Sequence, residues 1–123
     1  MNGNNILLDT NTILYFLNGD QTISDFIKNK KLFVSVISEL ELLSYNKITS
    51  KDIKIISGFL KDVQVVNISQ EIKIGAIKIR RATNLKLPDC IIAATSISLQ
   101  IPLFSADKAL KNIVGLDLIY YEK

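Results

Sequence analysis

Histidine and tryptophan are absent from this chain, cysteine and methionine occur once each, and proline occurs twice in 123 residues. Each absence removes chemistry. Without histidine there is no Ser-His-Asp triad, no Cys-His pair and no histidine-based zinc site. A single cysteine, Cys90, allows no disulfide within the chain, which fits a reducing compartment. Long hydrophobic runs are missing as well. The stretch 90–99 is interrupted by Thr95, Ser96 and Ser98 and is too short to span a bilayer. Residues 1–8 carry too short an apolar run, and no basic leader, for a secretory signal. The expectation is a soluble cytoplasmic protein with no membrane partner.

What is present is aliphatic. Hydrophobic residues make up 48% of the chain, aromatics only 7%. That is ample for a core, and the length predicts one domain, residues 1–123. A net charge of +3 and a pI near 9.0 permit an anionic partner, and a solvated lysine-rich surface accounts for them equally well.

Short apolar runs alternate with helical patterns. Ile6-Leu7-Leu8 reads as a first strand ending at Asp9. Cap-type residues follow, then helices over 13–17 and 23–28, the first stopping at Asn18-Gly19. Residues 32–34 read as strand two, followed by a helix to Ser44 capped by Ser35 or Ser38. Ser50 is the expected cap of a helix over 52–60, and 63–68 read as strand three. A long helix over 70–83 carries Ile72, Ala76 and Ile79 at helical spacing. Pro88 suits a first helical position, with Asp89 in the first turn. The segment 90–94 is apolar nearly all round, which predicts a buried helix. Residues 103–104 and 116–120 read as the last two strands, with a short helix over 108–112 after Asp107. The alternation argues for an α/β fold with a mostly parallel sheet of four to five strands and helices on both faces. There is no internal repeat and no linker.

Asp9, Glu41, Asp89 and Asp107 stand where apolar segments end or helices begin. In a parallel sheet, sites form at the carboxyl ends of the strands near the switch point, so all four can reach one edge. Clustered carboxylates repel one another unless a cation sits among them, and oxygen ligands suit a hard ion such as Mg²⁺ or Mn²⁺. Each acid also has an ordinary explanation. Asp89 and Asp107 are common helix-start residues, and Glu41 alone is an ordinary helical glutamate. Glu39 competes with Glu41. The two lie about 200° apart on a helical wheel, and periodicity does not choose between them.

Four segments resemble the PIN domain, specifically the VapC-type toxin nucleases. Ile6-Leu7-Leu8-Asp9-Thr10-Asn11 is similar to the family's opening, a strand followed by Asp-Thr/Ser-Asn. Ser35-Val36-Ile37-Ser38-Glu39-Leu40-Glu41-Leu42-Leu43 is similar to the second motif, and its register selects Glu41. Leu87-Pro88-Asp89-Cys90-Ile91-Ile92-Ala93-Ala94-Thr95 is similar to the third, and Leu103-Phe104-Ser105-Ala106-Asp107 to the fourth. Pro88 and Ala106 depart from the usual pattern without removing an acid.

The resemblance implies a Rossmann-like three-layer sandwich and a metal-dependent endoribonuclease, the toxin of a toxin–antitoxin pair. Carried over, Asp9, Glu41, Asp89 and Asp107 hold one or two Mg²⁺ or Mn²⁺ ions that activate water against RNA phosphodiesters. Asn11 and Ser105 are candidates to orient those carboxylates, with a turn or capping role as the alternative. Lys73, Lys78, Arg80, Arg81 and Lys86 form a basic run suited to RNA phosphates or to a solvated face. An antitoxin placing an Arg or Lys in the acidic groove, and a homodimer, are the implied partners. Two other readings compete. A haloacid-dehalogenase-type phosphotransferase needs a second acid two residues after Asp9, where Asn11 stands, and a receiver domain lacks its paired acids. The other is a catalytically silent PIN-like module that binds RNA or protein.

Overall fold

The computed structural model describes residues 3–123; Met1 and Asn2, the first two residues of the segment weighed above as a leader, lie outside it. Five strands form one all-parallel sheet: β1 (Asn5–Leu8), β2 (Lys31–Ser35), β3 (Gln64–Val66), β4 (Leu103–Ser105) and β5 (Leu118–Tyr120), in the order β3-β2-β1-β4-β5. Six α-helices connect them: α1 (Thr10–Leu17), α2 (Gln21–Ile27), α3 (Val36–Ser44), α4 (Ser50–Lys61), α5 (Gln70–Ala82) and α6 (Leu87–Leu99). A 3-10 helix, Lys108–Asn112, lies between β4 and β5.

The three layers follow from the two-residue alternation of strand side chains. In β1, Ile6 and Leu8 face one side and pack with Ile13, Ile23, Ile27, Leu42, Ile56 and Phe59 from α1 to α4. Leu7 faces the other side and packs with Ile92 and Ala93 of α6. β4 repeats the pattern, with Phe104 in the first cluster and Leu103 in the second. Ile6, Leu7 and Leu8 are essentially inaccessible, and such burial contributes about 1.5–3 kcal/mol per side chain. A central strand buried on both faces has no room for polar residues, so the first acid appears only where the strand stops.

The third layer is built on α5 and α6. Cys90, Ile92, Ala93, Ala94, Thr95 and Ser96 of α6 are all buried, as its all-round apolar character predicts. The hydroxyls of Thr95 and Ser96 donate to the carbonyls of Ile91 and Ile101 at 2.7 and 2.6 Å, so neither is left unpaired in the core. Small residues bring the two helices together: a Cβ on Gly75 would lie 3.3 Å from the Ala94 Cβ.

Of the two expected caps for α3, Ser35 takes the role, accepting from the Ile37 amide at 3.1 Å. Several element ends differ from the sequence-based expectation. Thr49, not Ser50, caps α4, because Asp52 completes a reciprocal pair with it at 3.0 and 3.1 Å. Pro88 is the second residue of α6, after Leu87. β3 covers only Gln64–Val66, because the β-branched run outlasts its pairing with β2.

Candidate metal centre

The chain leaves β1 for β2 and β3 on one side, then returns to build β4 and β5 on the other. The reversal opens a crevice beyond the carboxyl ends of β1 and β4, the place where such sheets bind ligands. A cavity of about 170 Å³ lies there, lined by Asp9, Thr10, Asn11, Glu41, Asp89, Ile92 and Asp107. The four acids singled out in the sequence, from four separate segments, all line it. Glu39 does not.

Asp9 caps α1 directly after β1 and is 9% exposed. Its Oδ1 accepts from the Thr12 amide at 3.0 Å and the Thr12 hydroxyl at 2.8 Å. Its Oδ2 accepts from the buried Ser105 hydroxyl. Ser105 also accepts the Asp107 amide at 3.0 Å, so one hydroxyl ties the first acid to the segment carrying the fourth. Asp107 caps the 3-10 helix, its Oδ1 accepting from the Ala109 amide at 3.0 Å. Glu41 reaches over from α3 and accepts the Thr10 hydroxyl at 2.6 Å. Asp89 projects from the first turn of α6, where the helix dipole favours an anion.

The electrostatics carry the signature of crowding. Burial pushes the Asp89 carboxyl above its ordinary range, and Asp107, Glu41 and Asp9 push it further, against the pull of Lys86. Burial likewise raises the Asp9 carboxyl, with a smaller push from Asp107, although Ser105 and Thr12 favour its charged form. Among the described residues, no three acids or thiols are gathered into a ready-formed ligand set, even though four carboxylates share the cavity. Asp9, Glu41 and Asp107 each turn an oxygen to hydroxyl or amide donors, which Thr12, Ser105, Thr10 and Ala109 supply. The donor set is all carboxylate oxygen, which fits a hard divalent cation and no soft one.

A protein-family model of the PIN domain matches residues 6–116, which include β2, β3, β4, most of β1 and all four acids. The chain belongs to the PIN domain family. Solved structures similar to this PIN domain include the VapBC2 complex of Rickettsia felis bound to a promoter DNA fragment. It matches at a TM-score of 0.85 and 20% identity, over 96% of this chain and 99% of that one. A toxin–antitoxin complex from Klebsiella pneumoniae matches at 0.79 and 25% identity, over 96% and 99%. VapBC-1 from nontypeable Haemophilus influenzae matches at 0.77 and 23%, over 97% and 99%. No curated protein matches the chain.

The basic run divides in this PIN domain. The Gly75–Ala94 contact and the Ser98–Glu71 hydrogen bond fix α5 antiparallel to α6. That register sets Arg80 level with Asp89, and the Arg80 charge acts on the neighbouring Cys90 thiol, which burial pushes up. Lys86 caps α6 and acts on Asp89. Lys73 lies level with Ser96, about 10 Å further along the helix, away from the acids. Arg81 is exposed beside Arg80. Asn11 is exposed at the cavity rim, whereas Ser105 is buried against Asp9. Three hydroxyls escaped the sequence reading as site residues: Thr10, Thr12 and Ser38. The signal for the first two was their position directly after Asp9, where hydroxyls read as caps.

Proposed function

We propose that this chain is a Mg²⁺- or Mn²⁺-dependent endoribonuclease and the toxin of a toxin–antitoxin pair, its residues 1–123 acting as one PIN domain in the cytoplasm. The observation that carries this reading is the convergence of Asp9, Glu41, Asp89 and Asp107 on one small cavity at the switch point. Those four residues would hold the ion. A divalent cation in such a place supplies Lewis acidity, polarising phosphoryl oxygens and making water a better nucleophile near neutral pH.

The chain's own residues do the remaining work. Thr12 and Ser105 hold both oxygens of Asp9 in fixed directions, so this ligand is organised before anything binds. Asp89 stands in the first turn of α6, and burial and its acidic neighbours raise its pKa, so an added positive charge would favour its ionised form. Ile92 closes the cavity beneath with an apolar side chain. Arg80, Arg81 and Lys86 flank the acidic edge and suit the backbone phosphates of RNA, which gives affinity without base choice. A pocket of four carboxylates also suits an Arg or Lys offered by an antitoxin, which would block the site by occupying the cation's place. A second copy of the chain is the other partner the family resemblance supports.

The test is incubation of purified protein with total RNA, with millimolar Mn²⁺ or with chelator. Cleavage in Mn²⁺ that stops in chelator is the expected result. Undiminished cleavage in chelator contradicts the proposal, and Mn²⁺ binding without cleavage assigns the fold to a silent binding module instead.

A further inference from the structure

Glu41 is the one exposed member of the acidic set, carried on a helix and free to rotate about three side-chain bonds. Three other carboxylates push it outward, and ordering a glutamate costs rotamer freedom. Its place in the cavity therefore requires a partner, which is Thr10. The Thr10 hydroxyl lies 2.6 Å from Glu41 Oε1, within the range of about 2.5–2.7 Å for charge-assisted O–H···O⁻ bonds. The same hydroxyl lies 2.9 Å from that of Ser38.

The direction of this chain of bonds follows from counting protons. An ionised carboxylate only accepts, and a hydroxyl has one proton to give. Thr10 gives its proton to Glu41, so the buried Ser38 must donate to the Thr10 oxygen. Bonds arranged in this sense polarise one another and strengthen the last. Ser38 and Glu41 are three residues apart on α3 and so share a face, whereas Glu39 points away from it. Thr10 comes from the first turn of α1, directly after Asp9. One hydroxyl thus links the segment of the first acid to the helix of the second.

We infer that Thr10 is a positioning residue: it holds Glu41 in the acidic cavity as the middle member of a Ser38–Thr10–Glu41 hydrogen-bond relay. The inference rests on the cavity being a cation site. A side chain that orients a ligand in this way affects metal affinity by about 10–100-fold. The relay also explains why α3 presents Glu41 rather than Glu39, since only the face carrying Ser38 meets Thr10.

The experiment is calorimetric titration of Mn²⁺ alone into four proteins: wild type, Thr10→Val, Thr10→Ser and Glu41→Gln, together with the Thr10→Val/Glu41→Gln double variant. Thr10→Val is expected to weaken Mn²⁺ binding by about tenfold, and Thr10→Ser, which keeps the hydroxyl, to restore it. In the Glu41→Gln background, Thr10→Val is expected to add no further loss, because the group it positions is already disabled. Cleavage kinetics should show a lower kcat with an unchanged KM for RNA. If Thr10→Val does not fold, Ser38→Ala tests the same relay from its other end and is expected to give a smaller weakening. Thr10→Val binding Mn²⁺ as tightly as wild type, Thr10→Ser failing to restore affinity, or full additivity with Glu41→Gln each overturns the positioning role while leaving the cation site intact. Absence of Mn²⁺ binding by the wild type overturns the reading of the cavity itself, and the relay's purpose with it.

Discussion

Two concavities of this molecule differ in size and in the sign of the charge they gather. The larger, about 670 Å³, runs between α5 and α6 and is lined by Ile74, Ile79, Ala94, Ile97 and Val114 with Glu71 and Lys78 at its margin. The smaller, about 170 Å³, holds Asp9, Glu41, Asp89 and Asp107. In the groove the two charges are of opposite sign. In the small cavity all are of one sign, and burial together with mutual repulsion raises the Asp9 and Asp89 carboxyls. Volume follows from how helices happen to meet. Concentrated like charge costs stability, and a fold that retains it is organised around something that repays the cost.

On the proposed function, the greatest expected contrast lies in what substitution in each concavity does to cleavage. Asp9→Asn is expected to reduce RNA cleavage at least 100-fold, because losing a cation ligand forfeits about several kcal/mol of transition-state stabilisation. The variant stays folded, since the Ser105 hydroxyl can rotate to accept from the new amide. Single-turnover cleavage together with a melting curve checks both halves; wild-type cleavage by this variant breaks the contrast.

A smaller effect separates the two ends of α5. Arg80→Ala is expected to weaken RNA binding and to lower the slope of log affinity against log salt by roughly 0.7, the loss of one phosphate contact to single-stranded nucleic acid. Lys73→Ala, two turns further from the acids, is expected to leave that slope unchanged. Fluorescence anisotropy with a labelled RNA across a salt series distinguishes them, and equal effects would remove the distinction between the ends. The smallest change belongs to the groove. Ile74 is already 46% exposed, so Ile74→Ser should shift stability by less than about 1 kcal/mol and leave cleavage untouched. A large loss of cleavage in Ile74→Ser would show that the groove serves the reaction.

The architecture was legible in the sequence because its cause is local. Ile6-Leu7-Leu8 ends abruptly at Asp9, and a strand buried on both faces must leave its first charge at its end. Strands two and four were legible as short apolar runs, with Glu41 on the helix after the former and Asp107 three residues past the latter, and Pro88 marked the helix start at Asp89. Boundaries were less legible where two candidate caps adjoin: Thr49 prevails over Ser50 because Asp52 answers it three residues on. The choice between Glu39 and Glu41 could not come from periodicity. In the structure Glu41 lines the cavity and Glu39 does not, and the hydroxyl that meets Glu41 belongs to Thr10, on another helix and 31 residues away in sequence. Thr12 and Ser38 were hidden for the same reason, since a hydroxyl near a helix start is an adequate cap on its own terms. The basic run read as one feature, but the antiparallel packing of α5 on α6 carries Lys73 away from the edge that Arg80 and Lys86 approach.

The claim beneath all of this is that the acidic cavity is made for a cation, and thermal melting with and without Mn²⁺ across pH tests it most directly. Asp9 and Asp89 have carboxyls raised above the ordinary 3.8, so the metal-free fold prefers them protonated. Their contribution to stability is present at low pH and is lost as pH rises through the raised values. Asp20 and Asp52 are shifted the opposite way, so the informative quantity is the difference made by metal at each pH. At neutral pH, Mn²⁺ at about 100 times its dissociation constant stabilises the fold by about 2.7 kcal/mol, a rise in the thermal midpoint of roughly 10 °C. The rise should shrink as pH falls toward the carboxylate range, where protons compete for the same oxygens. A midpoint that millimolar Mn²⁺ leaves unchanged at neutral pH would contradict the account.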